Sequence, residues 1–217
     1  MSVSQSDPQL AHAPVAAAPV HDEEWATPAP AGLIALAIAC FCFFAVLTGR
    51  VEPTATPFLA CWLIGGFVVQ FCVGLIELRE KNLTGGNVFL FFSAFFMLTG
   101  ALKYLVGAFL HPTFEGHIDH RIDGWAWLVL ALALLFWTPA YLKRAPKPLA
   151  LVVLVLDIGV PMVALRDLEV VSKSIANPIA GWTILASGIM GIYVATAIIN
   201  NGAYGRKVMP MPKAFLG

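Results

Sequence analysis

Residues 27–49 read TPAPAGLIALAIACFCFFAVLTG. After a proline-rich opening, the nineteen residues from Ala31 to Gly49 carry no charge. At about 1.5 Å of rise per residue this run spans ~28 Å, close to the hydrocarbon thickness of a bilayer. Pro28 and Pro30 suit first-turn positions, where a missing N–H costs nothing, and Thr27 is a fair N-cap. The stretch reads as a transmembrane helix with a defined start, and the other apolar runs of the chain repeat it.

The composition supports that reading. The chain is 59% hydrophobic and 12% charged, with a mean hydropathy of +0.80; an ordinary soluble domain is ~25% charged. Several separate uncharged runs reach spanning length, which predicts an all-α integral membrane bundle. A barrel would show shorter segments of alternating polarity. The 217 residues hold about six spans with short loops, which leaves no room for a separate soluble catalytic domain. Thirteen basic and thirteen acidic residues cancel, and nothing points to nucleic acid. Cys40, Cys42, Cys61 and Cys72 all fall in apolar runs, where cysteine behaves as a small hydrophobe.

Three regions follow. Residues 1–26 read as a disordered tail, rich in Pro and Ala, without the basic and apolar regions of a secretory signal. Trp25 suits the membrane interface. Residues 27–205 hold six predicted helices, at about 31–49, 57–78, 87–110, 125–142, 149–165 and 178–199. The longest loop is 111–124, and 206–217 form a C-terminal tail. Arg79, Lys81, Lys143, Arg144, Lys147, Arg206, Lys207 and Lys213 would share one side, and Arg50, Arg121, Arg166 and Lys173 the other. The positive-inside rule then puts both termini in the cytoplasm.

An ionisable group at membrane depth is a functional candidate by default, because its desolvation costs at least ~2.5–3.5 kcal/mol. Lys103 and Asp157 are two such groups, expected at similar depth and within reach of each other. They read either as an ion relay or as a buried pair locking the third helix to the fifth. Gln70 is the polar group at depth in the second helix, available to a substrate oxygen or to another helix. The start of the first helix offers unpaired N–H groups and a positive dipole end, which attract anions. In the outer loop, His111, Glu115, His117, Asp119 and His120 are read as solvated residues rather than a metal site. The chain holds no Ser-His-Asp set, phosphate loop, haem motif or HExxH, so neither an enzyme nor a cofactor is expected.

Three blocks together resemble the acetate uptake transporter family, which includes bacterial succinate–acetate permeases and yeast acetate or ammonia transporters. TPAPAGL at 27–33 is similar to the family's NPAPLGL signature. GGFVVQFCVGLIELREKN at 65–82 is similar to its second helix and following loop, and AGWTILASGIMGIYVATAIINNGAYGRKVMP at 180–210 to its last helix and exit. The resemblance implies six helices per protomer, a homohexameric ring in the plasma (inner) membrane, and a separate path in each protomer. It implies transport of acetate or another small carboxylate, succinate second, by proton symport or as an anion channel. The path would involve Thr27, Pro28, Pro30, Gly32, Leu33 and Gln70. Its hydrophobic constriction falls on Leu36, Phe92 and Val155.

The chain also departs from the family pattern. The signature asparagine is Thr27; Leu36 and Phe92 stand where the family usually has Phe and Tyr; Ile198 stands where some relatives are acidic. Phe92 lacks the hydroxyl that could bond a carboxylate. The alternatives are a membrane subunit that keeps the fold without transporting, and a channel for another small solute such as ammonia.

Overall fold

The computed structural model describes residues 25–109 and 119–216. Among the described residues there are six long helices: α1 (Ala29–Leu47), α2 (Thr56–Arg79), α3 (Leu83–Phe109), α4 (Arg121–Arg144), α5 (Lys147–Asp167) and α6 (Lys173–Ala203). All six are long and apolar enough to cross a membrane. Residues 1–24, with most of the predicted tail, and His111, Glu115 and His117 lie outside the described residues.

The helices form a ring. α1 packs on α2 and α6, α5 on α4 and α6, and α2 on α3, whereas α3 and α4 barely touch. Small residues set the tight contacts. A Cβ on Gly188 of α6 would sit 2.7 Å from Cβ of Cys40 on α1, so only glycine lets these two helices approach so closely. Trp25 lies against the Arg79 guanidinium at the end of α2, 4.6 Å from the ring centroid. At the other end of the chain, the Lys147 N–H donates to the Pro212 carbonyl and the Leu216 N–H to the Leu142 carbonyl, each at 3.0 Å. Trp25, the C-terminal segment, the α2–α3 turn and the α4–α5 turn therefore share one face, called here the terminal face. The opposite end is the loop face.

Three helices begin earlier than the hydropathy pattern indicates. α3 starts at Leu83 because Asn82 caps it, its Oδ1 accepting from the Gly85 N–H at 3.1 Å. Lys81 makes the preceding turn with φ of 62°, a left-handed conformation usually given to glycine. α4 starts at Arg121, so residues 121–124 of the predicted loop are helical. α6 starts at Lys173, and Pro178 lies inside it rather than at its head. Each addition carries polar residues or glycine, and hydropathy detects the apolar part of a helix rather than its ends.

The C-terminal segment is strapped to the bundle. Asn201 Oδ1 accepts from the Val208 and Met209 N–H groups at 2.7 and 2.9 Å, and Tyr193 donates to the Pro210 carbonyl at 2.7 Å.

Candidate functional site

A cavity of about 420 Å³ lies between α3 and α4 where the two helices diverge, with the exposed Phe95, Val129 and Trp137 among its lining. Phe43, Phe96 and Trp127 furnish much of its wall, and Lys103, Tyr104, Asp123 and Arg166 lie at its loop-face end. Starting α4 at Arg121 brings Asp123 into its first turn, where it forms an ion pair with Lys103. Arg166 donates from Nε to Asp167 at 2.7 Å and from Nη1 to Asn177 at 3.3 Å.

The expected contact between Lys103 and Asp157 is not formed. Lys103 lies with Asp123 and Arg166 at the mouth of the cavity, whereas Asp157 precedes Arg166 by nine residues on α5, a rise of ~14 Å. Asp157 instead accepts a hydrogen bond from the buried Thr138 of α4 at 2.5 Å. Its other oxygen is buried and has no partner among the described residues.

Below the cavity the bundle closes. Leu36, Phe92, Phe96, Leu130, Leu134, Leu156 and Val160 are buried in one continuous apolar core. The Phe92 ring stacks on Phe91 at 4.7 Å and meets Phe96 edge-on at 5.4 Å; Phe96 meets Trp127 edge-on at 5.7 Å. Leu36 and Phe92 thus belong to the same core. Val155 is half-buried and stands apart from this core; its neighbour Leu156 is the α5 residue that enters it. The neck coincides with a π-helical stretch of α3, Phe92–Leu98. Such stretches are rare and recur at functional sites. Thr99 supports it, donating to the Ala94 carbonyl five residues back at 3.0 Å.

Toward the terminal face, Gln70 is 1% exposed and donates from Nε2 to the Gly32 carbonyl at 3.2 Å. Its Oε1 is buried without a partner among the described residues. Gly32 makes room for Phe89, whose ring would lie 2.6 Å from any Cβ there. Leu33 packs with Val73, Phe89, Val194 and Ala195.

Thr27 is not the cap of α1; that position is Pro28, and Pro30 falls in the first turn. The Thr27 hydroxyl accepts from the Ala29 N–H at 3.3 Å and donates to Glu77 at 3.0 Å. Asn82 donates to the other Glu77 oxygen. Glu77 is 3% exposed, and the sequence analysis did not single it out as a site. The signal was available: Glu77 follows Gln70 by seven residues, two turns along one face of α2.

On the loop face the exposed Asp119 binds Arg121 through both carboxylate oxygens, at 2.9 and 2.7 Å. These hydrogen bonds hold its pKa down to about 2. Among the described residues no cluster of His, Cys, Asp or Glu is suited to a metal ion.

The arrangement is an amphipathic chamber, an apolar neck, and a buried amide beyond the neck. Comparison with known proteins agrees with the fold. The solved structure described as "Structure of the bacterial acetate channel SatP" superposes with a TM-score of 0.75 at 23% identity, covering 87% of this chain and 99% of that one. No curated protein sequence matches. Residues 10–213 match the model of the GPR1/FUN34/yaaH family, and with this span covering nearly the whole chain, the protein belongs to that family.

Proposed function

We propose that the protein carries acetate, or another small carboxylate with succinate second, across the plasma (inner) membrane, with both termini in the cytoplasm. The observation that carries this reading is the line of three features through one protomer: a cavity ending in Lys103 and Arg166, an apolar neck, and the buried Gln70. The structural relative described as an acetate channel and the family membership support it.

In this mechanism Lys103 and Arg166 draw the anion into the chamber. The neck of Leu36 and Phe92, with Leu156 of α5, opposes passage of a charged group, since a bare charge in hydrocarbon is costly. Movement as the acid, with a co-transported proton, removes most of that barrier. Gln70 suits such a cargo. One N–H of its amide is committed to Gly32, leaving a second N–H and the unpaired Oε1. Together these match the C=O and O–H of a carboxylic acid, whereas a carboxylate has no proton to give Oε1. Thr27, Pro28, Pro30, Gly32 and Leu33 form the exit, and Asp157 serves the proton as a relay. The protomers assemble as a homohexamer, each with its own path.

A second reading, a family member that keeps the fold without transporting, is favoured by the tight packing of the neck and by the missing hydroxyl at Phe92. Radiolabelled acetate uptake into proteoliposomes separates the two. Uptake that rises with an inward proton gradient supports the proton-coupled mechanism, and gradient-independent uptake supports a channel. No uptake by folded protein refutes transport.

A further inference from the structure

The chamber is poorly matched to acetate. It measures about 420 Å³, within the range of pockets that enclose drug-sized molecules, whereas acetate has four heavy atoms. Its wall is aromatic, with Phe43, Phe96 and Trp127 from three helices, and its polar groups gather at one end. That end has donors to spare. Lys103 has three N–H groups and forms an ion pair only with Asp123 among the described residues. Arg166 has five, and the described residues take two of them, through Asp167 and Asn177.

We propose that the chamber is a binding site for a hydrophobic monocarboxylate, an aromatic acid or the head of a fatty acid. The carboxylate lies against Lys103 and Arg166, and the apolar body lies between Phe43, Phe96 and Trp127. Such a ligand is too wide for the neck, because Phe96 and Leu130 line the chamber and belong to the closed core. It therefore occupies the mouth and blocks entry of smaller acids. The blocking role rests on the transport reading; the binding site does not.

The test uses the full chain in lipid nanodiscs with 4-fluorobenzoate, its binding followed by ¹⁹F NMR against empty discs. The expected result is saturable binding that Lys103→Gln weakens at least tenfold and that neutral 4-fluorobenzamide does not displace. If Lys103→Gln misfolds because Asp123 is left unpaired, the double variant Lys103→Gln/Asp123→Asn removes both charges together and the same loss is expected. Binding no greater than in empty discs, binding indifferent to both variants, or equal displacement by the amide overturns the proposal. Oleate in the disc lipid distinguishes the source of a natural ligand: displacement of the bound probe assigns it to the bilayer, and saturable, lysine-dependent binding without displacement assigns it to water. Acetate uptake is measured on the same preparation. Probe binding without uptake refutes transport and leaves the site standing; uptake without probe binding overturns the site alone.

Discussion

Replacing Gln70 by leucine separates a functional polar group from a structural one. The side chain is 1% exposed and makes one hydrogen bond, to the Gly32 carbonyl at 3.2 Å, while Oε1 has no partner among the described residues. Losing a neutral hydrogen bond costs about 0.5–1.5 kcal/mol, and relieving an unsatisfied buried carbonyl returns about 1–3 kcal/mol. Leucine is close in size and apolar, so Gln70→Leu is expected to be neutral or stabilising by up to ~2 kcal/mol. Transport moves the other way. Without the amide, a passing acid loses one or two hydrogen bonds, worth about 1.4 kcal/mol or more together, so uptake falls roughly tenfold or further. Chemical denaturation in detergent gives the first quantity and acetate uptake into proteoliposomes the second. Unchanged uptake refutes the role of Gln70. A loss of stability beyond ~1 kcal/mol refutes the accounting, because it means that Oε1 is satisfied after all.

The Glu77 site behaves in the opposite sense. Glu77→Leu removes the hydrogen bonds from the Thr27 hydroxyl and the Asn82 amide, two exposed groups that water can satisfy, and denaturation is expected to show a loss of about 1–3 kcal/mol, from two bonds at about 0.5–1.5 kcal/mol each. Lys81→Gly relieves a left-handed residue at φ of 62° and is expected to stabilise by about 0.5–1 kcal/mol with acetate uptake unchanged. Gly188→Val forces α1 and α6 apart, since a Cβ would already sit 2.7 Å from that of Cys40; denaturation is expected to show a loss of about 1–3 kcal/mol or more. The Asp119 carboxyl, lowered to about 2 by its hydrogen bonds to Arg121, stays ionised at any physiological pH. Its contact with Arg121 is complete above the ordinary carboxylate pKa and is lost as pH falls through about 2, which carboxyl ¹³C NMR will follow. Asp119→Asn therefore leaves the pH dependence of uptake unchanged.

What the sequence determined by itself follows from the bilayer. A run such as 31–49 has to be a helix there, because no water is present to bond its backbone, so the number of spans was legible from composition and length. So were the terminal motif and Gln70 as the polar group at depth in α2. The blocks at 27–33, 65–82 and 180–210 indicated the family before any coordinates. What only the tertiary structure decided is which polar groups meet. Hydropathy measures transfer to lipid, and it falls silent at helix ends, where chain is polar but still helical. The extra residues at the head of α4 put Asp123 beside Lys103 and so remove Asp157 as its partner. Glu77, close to the charged turn that begins at Arg79, does not stand out in the sequence as a site; only packing of α1 and the α2–α3 turn around it shows a buried carboxylate bonded by Thr27 and Asn82. The chamber is likewise invisible in one dimension. It exists because α3 and α4 diverge, and the angle between two helices is set by side chains far apart in sequence.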